Sequence, residues 1–288
     1  MNSLNSNSNI VEDIYSQIDK LNDGPLDISE DLIEEFGESI KDVIRSWSVP
    51  QQRDGFALRM SNIGKPMRQL WFDKNSKINN NKILPATFIK FLYGHLLEEL
   101  VLLLTKMSGH EVTDQQKEIE VSGIKGHMDC KIDGEVVDIK SASGFSFSKF
   151  SKGLLSDEDP FGYLAQLAAY EHAEGTNNGG FLAINKETGE LAFYQPEELD
   201  KPNVKLRIKD LKHKLDLVNP PELCYDPIPE GKSGNMRIAK NCVYCPHKFE
   251  CHKDSNDGEG LRVFKYSKGP MYFTKVVKKP KVDEVYEP

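Results

Sequence analysis

Two aspartates and a lysine lie close together near the middle of the sequence. Asp129 ends the segment GHMD, and Asp138 and Lys140 lie in the segment VDIK that follows the pair Asp133-Gly134. An Asp-Gly pair is typical of a two-residue hairpin turn. Alternation along a strand places Asp138 and Lys140 on one face, and the hairpin brings Asp129 back beside them.

These residue types suit the hydrolysis of a phosphodiester. Carboxylate oxygens hold a hard divalent cation, while an ammonium orients or activates water and offsets developing negative charge. Asp138-x-Lys140 alone is a weak signal, because a surface strand often carries this pair by chance. The preceding Asp129 at hairpin spacing makes the pattern more specific.

A further metal ligand is expected from the predicted helix over residues 85–107. His95, Glu98 and Glu99 lie on the same face as Leu102 and interrupt an apolar helix. Burying such carboxylates is unfavourable unless they are paired or bound to metal. Glu98 is the first choice of ligand, with His95 and Glu99 as alternatives, and a solvated stripe is the non-functional interpretation.

Four ordered motifs resemble those of RecB-type nucleases, within the PD-(D/E)xK superfamily that also includes phage exonucleases. They are Gly94-x3-Glu98, Gly126-x2-Asp129, Asp138-x-Lys140 and the segment from Gln166 to Tyr170. The resemblance covers about residues 55 to 255. It implies a restriction-endonuclease-like core in which Mg or Mn is bound by one helix acid and two strand acids, a lysine is catalytic, and a glutamine and a tyrosine support DNA or substrate. On this sequence those roles fall on Glu98, Asp129, Asp138, Lys140, Gln166 and Tyr170.

Four of the five cysteines crowd the C-terminal region, at Cys224, Cys242, Cys245 and Cys251. This spacing favours thiolates on a metal over disulfides or four free thiols. Cys130 stands apart and is expected to be buried in a strand. His247 and His252 are alternative metal ligands.

The segment CVYCPHKFEC also resembles the iron-sulfur staple of many RecB-type and CRISPR adaptation nucleases. Those proteins have a further cysteine in an N-terminal C-x-R segment, and here Met67 stands in that place, within PMRQLW. Two alternatives stay open: a [4Fe-4S] cluster with Cys224 as the fourth ligand, or a structural zinc held by the four thiolates.

Charge neither supports nor excludes a nucleic-acid partner. The net charge is -8, but basic residues cluster at Lys65 and Arg68 and in residues 205–214 and 275–281. Arg68 and Lys65 are candidates for binding a DNA phosphate, together with Gln166 and Tyr170. The alternative for Arg68 is an ordinary surface arginine.

The spacing of apolar residues along the chain changes between the helical and the strand period, and this change predicts the elements that must position these residues. Helical spacing is predicted over residues 10–47 in two helices, 62–72, 85–107, 161–174 and 204–217, and strands over 118–121, 125–132, 135–141, 180–185 and 190–194. The three strands before residue 142 are predicted to form a β-meander. This order predicts an α/β fold with a central mixed β-sheet flanked by helices, followed by a cysteine-rich metal-binding segment.

The expected domain organisation has five parts. A disordered tail covers residues 1–9, a helical segment 10–54, the nuclease core 55–219, the cysteine-rich segment 220–255 and a C-terminal extension 256–288. No apolar run is long enough for a membrane span, and the Asn/Ser-rich start lacks the features of a secretory signal. A cytoplasmic location is expected, in the host cytoplasm if the protein is phage-encoded.

The combined prediction is a Mg- or Mn-dependent DNA exonuclease that acts at DNA ends. The segment LRMSNIGKPMRQLW suggests phage-type exonucleases, and this analogy implies a role in recombination, replication or DNA degradation. Expected partners are DNA and a single-strand annealing or replication protein, and oligomers such as rings would fit. The alternatives are a CRISPR adaptation nuclease and a non-catalytic DNA-binding or scaffold protein on the same fold.

Overall fold

A computed structural model describes residues 9–50, 55–76 and 83–285 of the chain. The tail predicted to be disordered lies outside the described residues, apart from Asn9. The chain divides into two compact units, one made of Met1–Gly64 and Ile78–Leu211, the other of Lys65–Lys77 and Lys212–Pro288.

The helices and strands are numbered along the chain. The helices are α1 (Ile10–Asp19), α2 (Glu30–Trp47), α3 (Met67–Asn75), α4 (Pro85–Met107), α5 (Gly144–Ser151), α6 (Tyr163–Glu174), α7 (Val204–Leu215) and α8 (Lys248–Cys251). The strands are β1 (Val112–Thr113), β2 (Lys117–Val121), β3 (Ile124–Met128), β4 (Cys130–Ile132), β5 (Glu135–Ala142), β6 (Gly180–Asn185), β7 (Leu191–Tyr194), β8 (Ile228–Glu230), β9 (Asn235–Arg237), β10 (Arg262–Tyr266), β11 (Gly269–Lys275) and β12 (Glu284–Val285).

The first unit contains the mixed sheet that the sequence predicted. Its strand order is β1-β4-β5-β6-β7, with β5 and β6 parallel and the other neighbours antiparallel. Helices α1 and α4 pack on one face, because both carry apolar residues at helical spacing. That core contains Ile10, Ile14, Leu97, Val101, Leu102, Cys130, Ile132, Val137, Ile139, Leu182, Ile184 and Leu191. The predicted burial of Cys130 in a strand is therefore confirmed.

Helices α5 and α6 contact the same sheet through a separate set of side chains. Phe150 of α5 packs against Phe181 of β6, with ring centres 5.6 Å apart. Val137 and Ile139 belong to the core under α1 and α4, so alternation turns Asp138 and Lys140 to the opposite face. The mixed sheet flanked by helices thus matches the predicted class.

The predicted three-strand meander is wrong in one respect that matters for the site. β2 and β3 form a two-stranded sheet of their own, whereas β4 and β5 belong to the mixed sheet. Asp129 was expected on a strand but lies at the break between β3 and β4. Its carbonyl oxygen accepts a hydrogen bond from the Gln116 N–H at 2.9 Å, and this contact lies outside both ladders.

The helix predicted over residues 62–72 is also corrected. A short 3₁₀ turn covers Met60–Asn62, and α3 begins only at Met67. Pro66 between them has no N–H and disfavours helical backbone in the residue before it. Helix α5 was not predicted from the sequence.

The second unit contains an antiparallel sheet of order β12-β10-β11-β9-β8, which the sequence analysis did not predict. Ile238, Val263 and Tyr272 form its buried core. Its strands lie among Pro, Gly and Cys residues, which interrupt the alternation of apolar and polar residues that would predict a strand. Among the described residues, no helix combines the length and apolar character needed to span a membrane.

Gly126, in the motif before Asp129, is required by packing. A Cβ atom at this position would lie 2.7 Å from the Cβ of Met60 and 2.9 Å from its Cγ. Met60 is fully buried, so its side chain has little freedom to move away.

Gly126→Ala is therefore expected to lower the free energy of unfolding by about 1–3 kcal/mol through overpacking. Gly37→Ala is the matched control, because nothing lies within 4 Å of a Cβ built there and alanine favours a helix. Urea unfolding measures both variants. Equal stability of Gly126→Ala and the wild type would contradict the packing argument.

Candidate active site

The centre of the candidate site is an ion pair between Asp138 and Lys140 on β5. The Lys140 Nζ contacts the Asp138 Oδ2, and Asp138 is completely buried. Two residues apart on one strand, the side chains share a face. Within the described part of the chain, neither Asp138 oxygen accepts a hydrogen bond of ordinary geometry. The predicted proximity of Asp138 and Lys140 is present in the structure.

Asp129 lies beside this pair because of the break between β3 and β4. Its Oδ2 accepts a hydrogen bond from the Ile139 N–H at 2.9 Å, which holds the carboxylate against β5. The charge of Asp129 also acts to raise the pKa of both Asp138 and Lys140. The structure therefore brings together the three residues from which the sequence argument began.

Glu98 reaches the site from α4, close enough for its charge to act on Asp129. Its Oε1 accepts a hydrogen bond from the Gln116 Nε2 at 2.8 Å, and its Oε2 lies 3.7 Å from the His95 Nδ1. The His95 side chain is 63% exposed, and the Glu98 carboxylate raises its pKa above the usual value. Of the helix candidates, Glu98 is thus the more buried and His95 its partner.

Glu99 is a partly exposed neighbour on the same helix. Its charge also acts to raise the pKa of His95, after the contributions of Glu98 and Asp129. The structure shows no contact of Glu99 with Asp129 or Asp138 in the described residues that would rank it above Glu98. The identity of the helical ligand stays a prediction.

Gln166 and Tyr170 lie on one face of α6, as their four-residue spacing requires. The Gln166 Nε2 donates to the Tyr170 hydroxyl at 2.6 Å. Burial raises the pKa of Tyr170, and the charge of Asp138 adds to this effect, so the phenol lies near the carboxylates and remains protonated. The two residues therefore line the site, although their predicted roles remain untested.

Tyr163 also belongs to the site and was not predicted. The Lys140 Nζ lies over its ring, 5.0 Å from the centroid, so the ring stabilises the ammonium by a cation–π contact. Tyr163 begins α6, which also carries Gln166. No spacing rule links it to β5, and only the packing of α6 on the sheet reveals the contact.

Negative charge exceeds positive charge in this group. If all are ionised, the carboxylates of Glu98, Asp129 and Asp138 outnumber the single ammonium of Lys140 by two charges. Burial raises the pKa of Asp138 to about 7, against the opposing charge of Lys140 and with support from Asp129. Burial likewise raises the pKa of Asp129 to about 6.

For Lys140, burial has the opposite effect on the pKa from its effect on the two aspartates. Burial acts to lower its pKa, but the charges of Asp138 and Asp129 outweigh burial and hold the pKa above its ordinary value. The Lys140 side chain therefore stays a cation at neutral pH. It can donate hydrogen bonds and stabilise an anion, but it is a poor proton acceptor.

The donors at this site suit a hard divalent cation, which prefers carboxylate oxygens. In the structure they are paired instead with protein groups: Asp138 with Lys140, Asp129 with the Ile139 N–H, and Glu98 with Gln116. Among residues 9–50, 55–76 and 83–285, no group of three or more His, Cys, Asp or Glu side chains is arranged to hold a metal ion.

The four C-terminal cysteines belong to the second unit. Burial raises the pKa of Cys242 to about 12, and the neighbouring thiols of Cys245, Cys251 and Cys224 add to the effect. The four sulfur atoms are therefore near enough to interact electrostatically. A zinc or iron-sulfur site at these cysteines stays a prediction.

His247 and His252, the alternative ligands, are both buried. The His247 Nε2 lies 2.7 Å from the Asp73 Oδ1, and its ring stacks on Phe72 with centroids 5.5 Å apart. Helix α3 is thus linked to the cysteine segment within the second unit.

Arg68, a predicted phosphate-binding residue, donates to protein atoms of the second unit. Its Nε donates to the Cys251 Sγ at 3.1 Å, its Nη2 to the Cys251 carbonyl at 3.3 Å, and its Nη1 to the Pro221 carbonyl. These contacts place the guanidinium beside a thiol rather than leaving it extended from the surface. A role for Arg68 or Lys65 in DNA binding remains untested.

The comparisons with known proteins give structural neighbours only. No protein-family model and no curated protein matches the sequence. The solved structure of SSO0001 has 19% identity and a TM-score of 0.41, with 75% of this chain and 94% of that chain covered. A phage-related exonuclease from Haemophilus somnus 129PT has 14% identity and a TM-score of 0.38, with 56% and 94% covered.

LHK-Exo, an alkaline exonuclease from Laribacter hongkongensis, was solved in complex with dAMP. It has 12% identity and a TM-score of 0.36, with 55% of this chain and 87% of that chain covered. The chain is similar in structure to phage-related exonucleases. Because identity and TM-score are low, this likeness does not decide the activity, which must be judged from the side chains.

The raised pKa of Asp138 predicts how stability depends on pH. In the metal-free protein the native state keeps a proton on this carboxyl that the unfolded chain, with a pKa near 3.9, has lost. Stability is therefore expected to fall as pH rises from about 4 to about 7. Asp138→Asn removes this group, so its dependence should be flatter.

Thermal unfolding of both proteins in EDTA between pH 5 and pH 8 measures the difference. Titrating groups far from position 138 affect both chains equally, whereas Asp129 and Lys140 interact with Asp138, so the separation between the two curves reports on this cluster as a whole. Parallel curves would contradict the assigned shift.

Proposed function

We propose that this chain is a metal-dependent deoxyribonuclease that hydrolyses phosphodiester bonds at DNA ends. The observation that carries the proposal is the buried Asp138–Lys140 ion pair with Asp129 held beside it and Glu98 within electrostatic range. Buried carboxylates in excess of their counterions are costly unless a cation compensates them. A catalytic metal site supplies a reason for that cost, and a purely structural role does not.

Lys140 would act as a permanent cation at the reacting phosphate. Its raised pKa keeps the Nζ protonated, and its contacts with Asp138 and the Tyr163 ring hold the ammonium in place. From there it can orient the attacking water and stabilise the negative charge that develops on the phosphate oxygens. Of the roles expected for this lysine, its charge favours orienting the water and stabilising negative charge over activating the water by proton removal.

Glu98, Asp129 and Asp138 would hold Mg or Mn, with His95 or Glu99 as alternatives on α4. Such a metal, when bound, activates a water and neutralises charge on the phosphate. Asp129 is positioned for this role by the Ile139 N–H and Glu98 by Gln116. The Gln166–Tyr170 pair would position the substrate beside them, because the tyrosine keeps its proton and remains able to donate it in a hydrogen bond.

The finer parts of the proposal rest on the sequence resemblance. Action at DNA ends, a role in phage-type recombination, replication or DNA degradation, and cooperation with a single-strand annealing or replication protein follow from the likeness to phage exonucleases. A zinc or [4Fe-4S] group at Cys224, Cys242, Cys245 and Cys251 follows from thiol spacing. The four thiols interact electrostatically, but in the part of the chain that the structure describes no three of them are arranged to hold a metal ion, so the last point depends on the spacing alone.

Cleavage of linear DNA with Mg or Mn tests the activity. Lys140→Ala and Asp138→Asn are each expected to lower kcat at least about 100-fold, the effect typical of removing one charged stabiliser from an active site. Lys125→Ala is the matched control, since Lys125 is an exposed lysine paired with Glu118 on the two-stranded sheet. EDTA should abolish cleavage by the wild type.

The other functions give different results in the same assay. Wild type and Lys140→Ala that bind DNA equally and are both inactive would favour a DNA-binding or scaffold protein. Rapid cleavage of closed circular DNA would contradict action at ends. Oligonucleotides labelled at either end give the polarity, and trimming confined to short overhangs would favour a role resembling CRISPR adaptation nucleases.

The cysteine site is tested by metal analysis of protein purified without oxygen. We expect zinc or iron in stoichiometric amount, and with iron also a visible thiolate-to-iron absorbance band. Cys245→Ser should lose the metal, whereas Cys130→Ala should retain it because Cys130 is buried in the first unit. Wild-type protein without either metal would contradict the prediction.

A further inference from the structure

An exposed aromatic ring is stacked onto the candidate active site. Phe161 is 57% exposed, and its ring stacks on Tyr163 with centroids 5.4 Å apart and planes inclined by 25°. The same Tyr163 ring carries the Lys140 Nζ at 5.0 Å. A continuous path of contacts thus leads from the surface through Phe161 and Tyr163 to Lys140.

The turn that carries Phe161 is held by an unusual number of contacts. The Asp159 carboxylate accepts hydrogen bonds from the N–H groups of Gly162, Tyr163 and Leu164, at 2.8, 3.0 and 2.9 Å. These bonds cap the start of α6. The backbone of residues 159–164 is therefore fixed rather than free.

Gly162, next to Phe161, also restricts the conformation of this turn. Its φ of 77° lies in the left-handed region, and a Cβ there would come within 2.3 Å of the Gly64 Cα. The two backbones thus meet at a distance that only glycine allows. A side chain presented by such a turn keeps its position without the loss of freedom that a mobile loop would suffer on binding.

Single exposed phenylalanines are common and need no explanation by themselves. Phe161 differs because its exposure is combined with a rigid turn and with a second ring that contacts the candidate catalytic lysine. The two contact distances set an upper limit of about 10 Å on the separation between the Phe161 ring centre and the Lys140 Nζ. This limit corresponds to at most about three stacked nucleotides, at roughly 3.4 Å each.

We propose that Phe161 is a stacking platform for an unpaired nucleobase of the DNA strand whose phosphate lies at Lys140. This inference rests on the proposed nuclease function and names its substrate as a DNA end with unpaired bases. Every base has a π face, so stacking on Phe161 accepts any sequence, as an end-processing activity requires. The phosphate would lie at Lys140 and the base on Phe161, with the Tyr163 ring in contact with both residues.

A double-mutant cycle, which combines a protein variant with a modified oligonucleotide, tests the contact between Phe161 and a nucleobase directly. A fluorescent single-stranded oligonucleotide is titrated in EDTA, either intact or with one abasic residue at each of the first few positions from either end. For the wild type, one position should weaken binding about 5- to 150-fold, the range for loss of one stacked base. Phe161→Ala should weaken binding of the intact strand by a similar factor, with no further loss at that abasic position.

Two variants complete the test. Phe161→Trp should restore binding, because the larger ring stacks at least as well. Phe88→Ala is the matched control, since Phe88 is an exposed phenylalanine on α4, about 15 Å along the helix from Glu98, and should bind like the wild type.

The proposal is wrong if Phe161→Ala binds the intact strand as the wild type does, or if the abasic loss persists undiminished in that variant. It is also wrong if Phe161→Ala converts an oligomer into a monomer with unchanged binding per chain, since the ring would then lie between copies. Because no cleavage is needed, coupling in an inactive wild type would support the platform and refute the nuclease. Cleavage without coupling would do the reverse.

Discussion

An excess of buried negative charge constrains this structure. Asp129 and Asp138 lie beside one ammonium, the charge of the partly buried Glu98 acts on Asp129, and charged groups removed from water interact strongly. The protein offsets part of the cost with the Lys140 ion pair, the Ile139 N–H and the Gln116 amide. It offsets another part by raising the pKa of Asp138 and Asp129. What is left uncompensated is suited to a cation, and the proposed chemistry depends on it.

The break in the strand pairing is what allows this arrangement. The Asp129 carbonyl oxygen still accepts a hydrogen bond from the N–H of Gln116, the residue before β2. Beyond Asp129 the chain joins the mixed sheet as β4, and the Asp129 carboxylate accepts a hydrogen bond from the Ile139 N–H of β5. A local irregularity therefore creates the contact between the two acidic motifs. Such irregularities are frequent where a side chain must be redirected at a functional site.

The second unit shows which protein atoms Arg68, a predicted phosphate-binding residue, contacts. Its guanidinium lies beside Cys251 and donates a hydrogen bond to the sulfur. Asp73 and Phe72 from the same helix contact His247, so α3 is tied to the cysteine segment along its length. These contacts give α3 a structural role in the unit that contains the four cysteines. Met67, at the position where the resembling proteins have a cysteine, begins this helix.

The sequence by itself determined most of the elements and the centre of the candidate site. Period-3.6 and period-2 patterns located α4 and the strands around Asp138, and the spacing of Asp138 and Lys140 placed both on one face. These features depend on residues near one another in the chain. The acids and the lysine could therefore be proposed without coordinates, whereas the roles of Gln166 and Tyr170 were implied by the resemblance to RecB-type nucleases.

Only the tertiary structure decided which distant residues meet. The sheet change at Asp129, the antiparallel sheet of the second unit, the contact of Tyr163 with Lys140 and the path to Phe161 all join parts of the chain that no local period connects. The sequence shows that residues 126 and 162 are glycines, but it does not show that Gly126 packs against Met60 and Gly162 against Gly64. Packing depends on side-chain shape across the whole core, whereas periodicity reports only the direction in which each residue points.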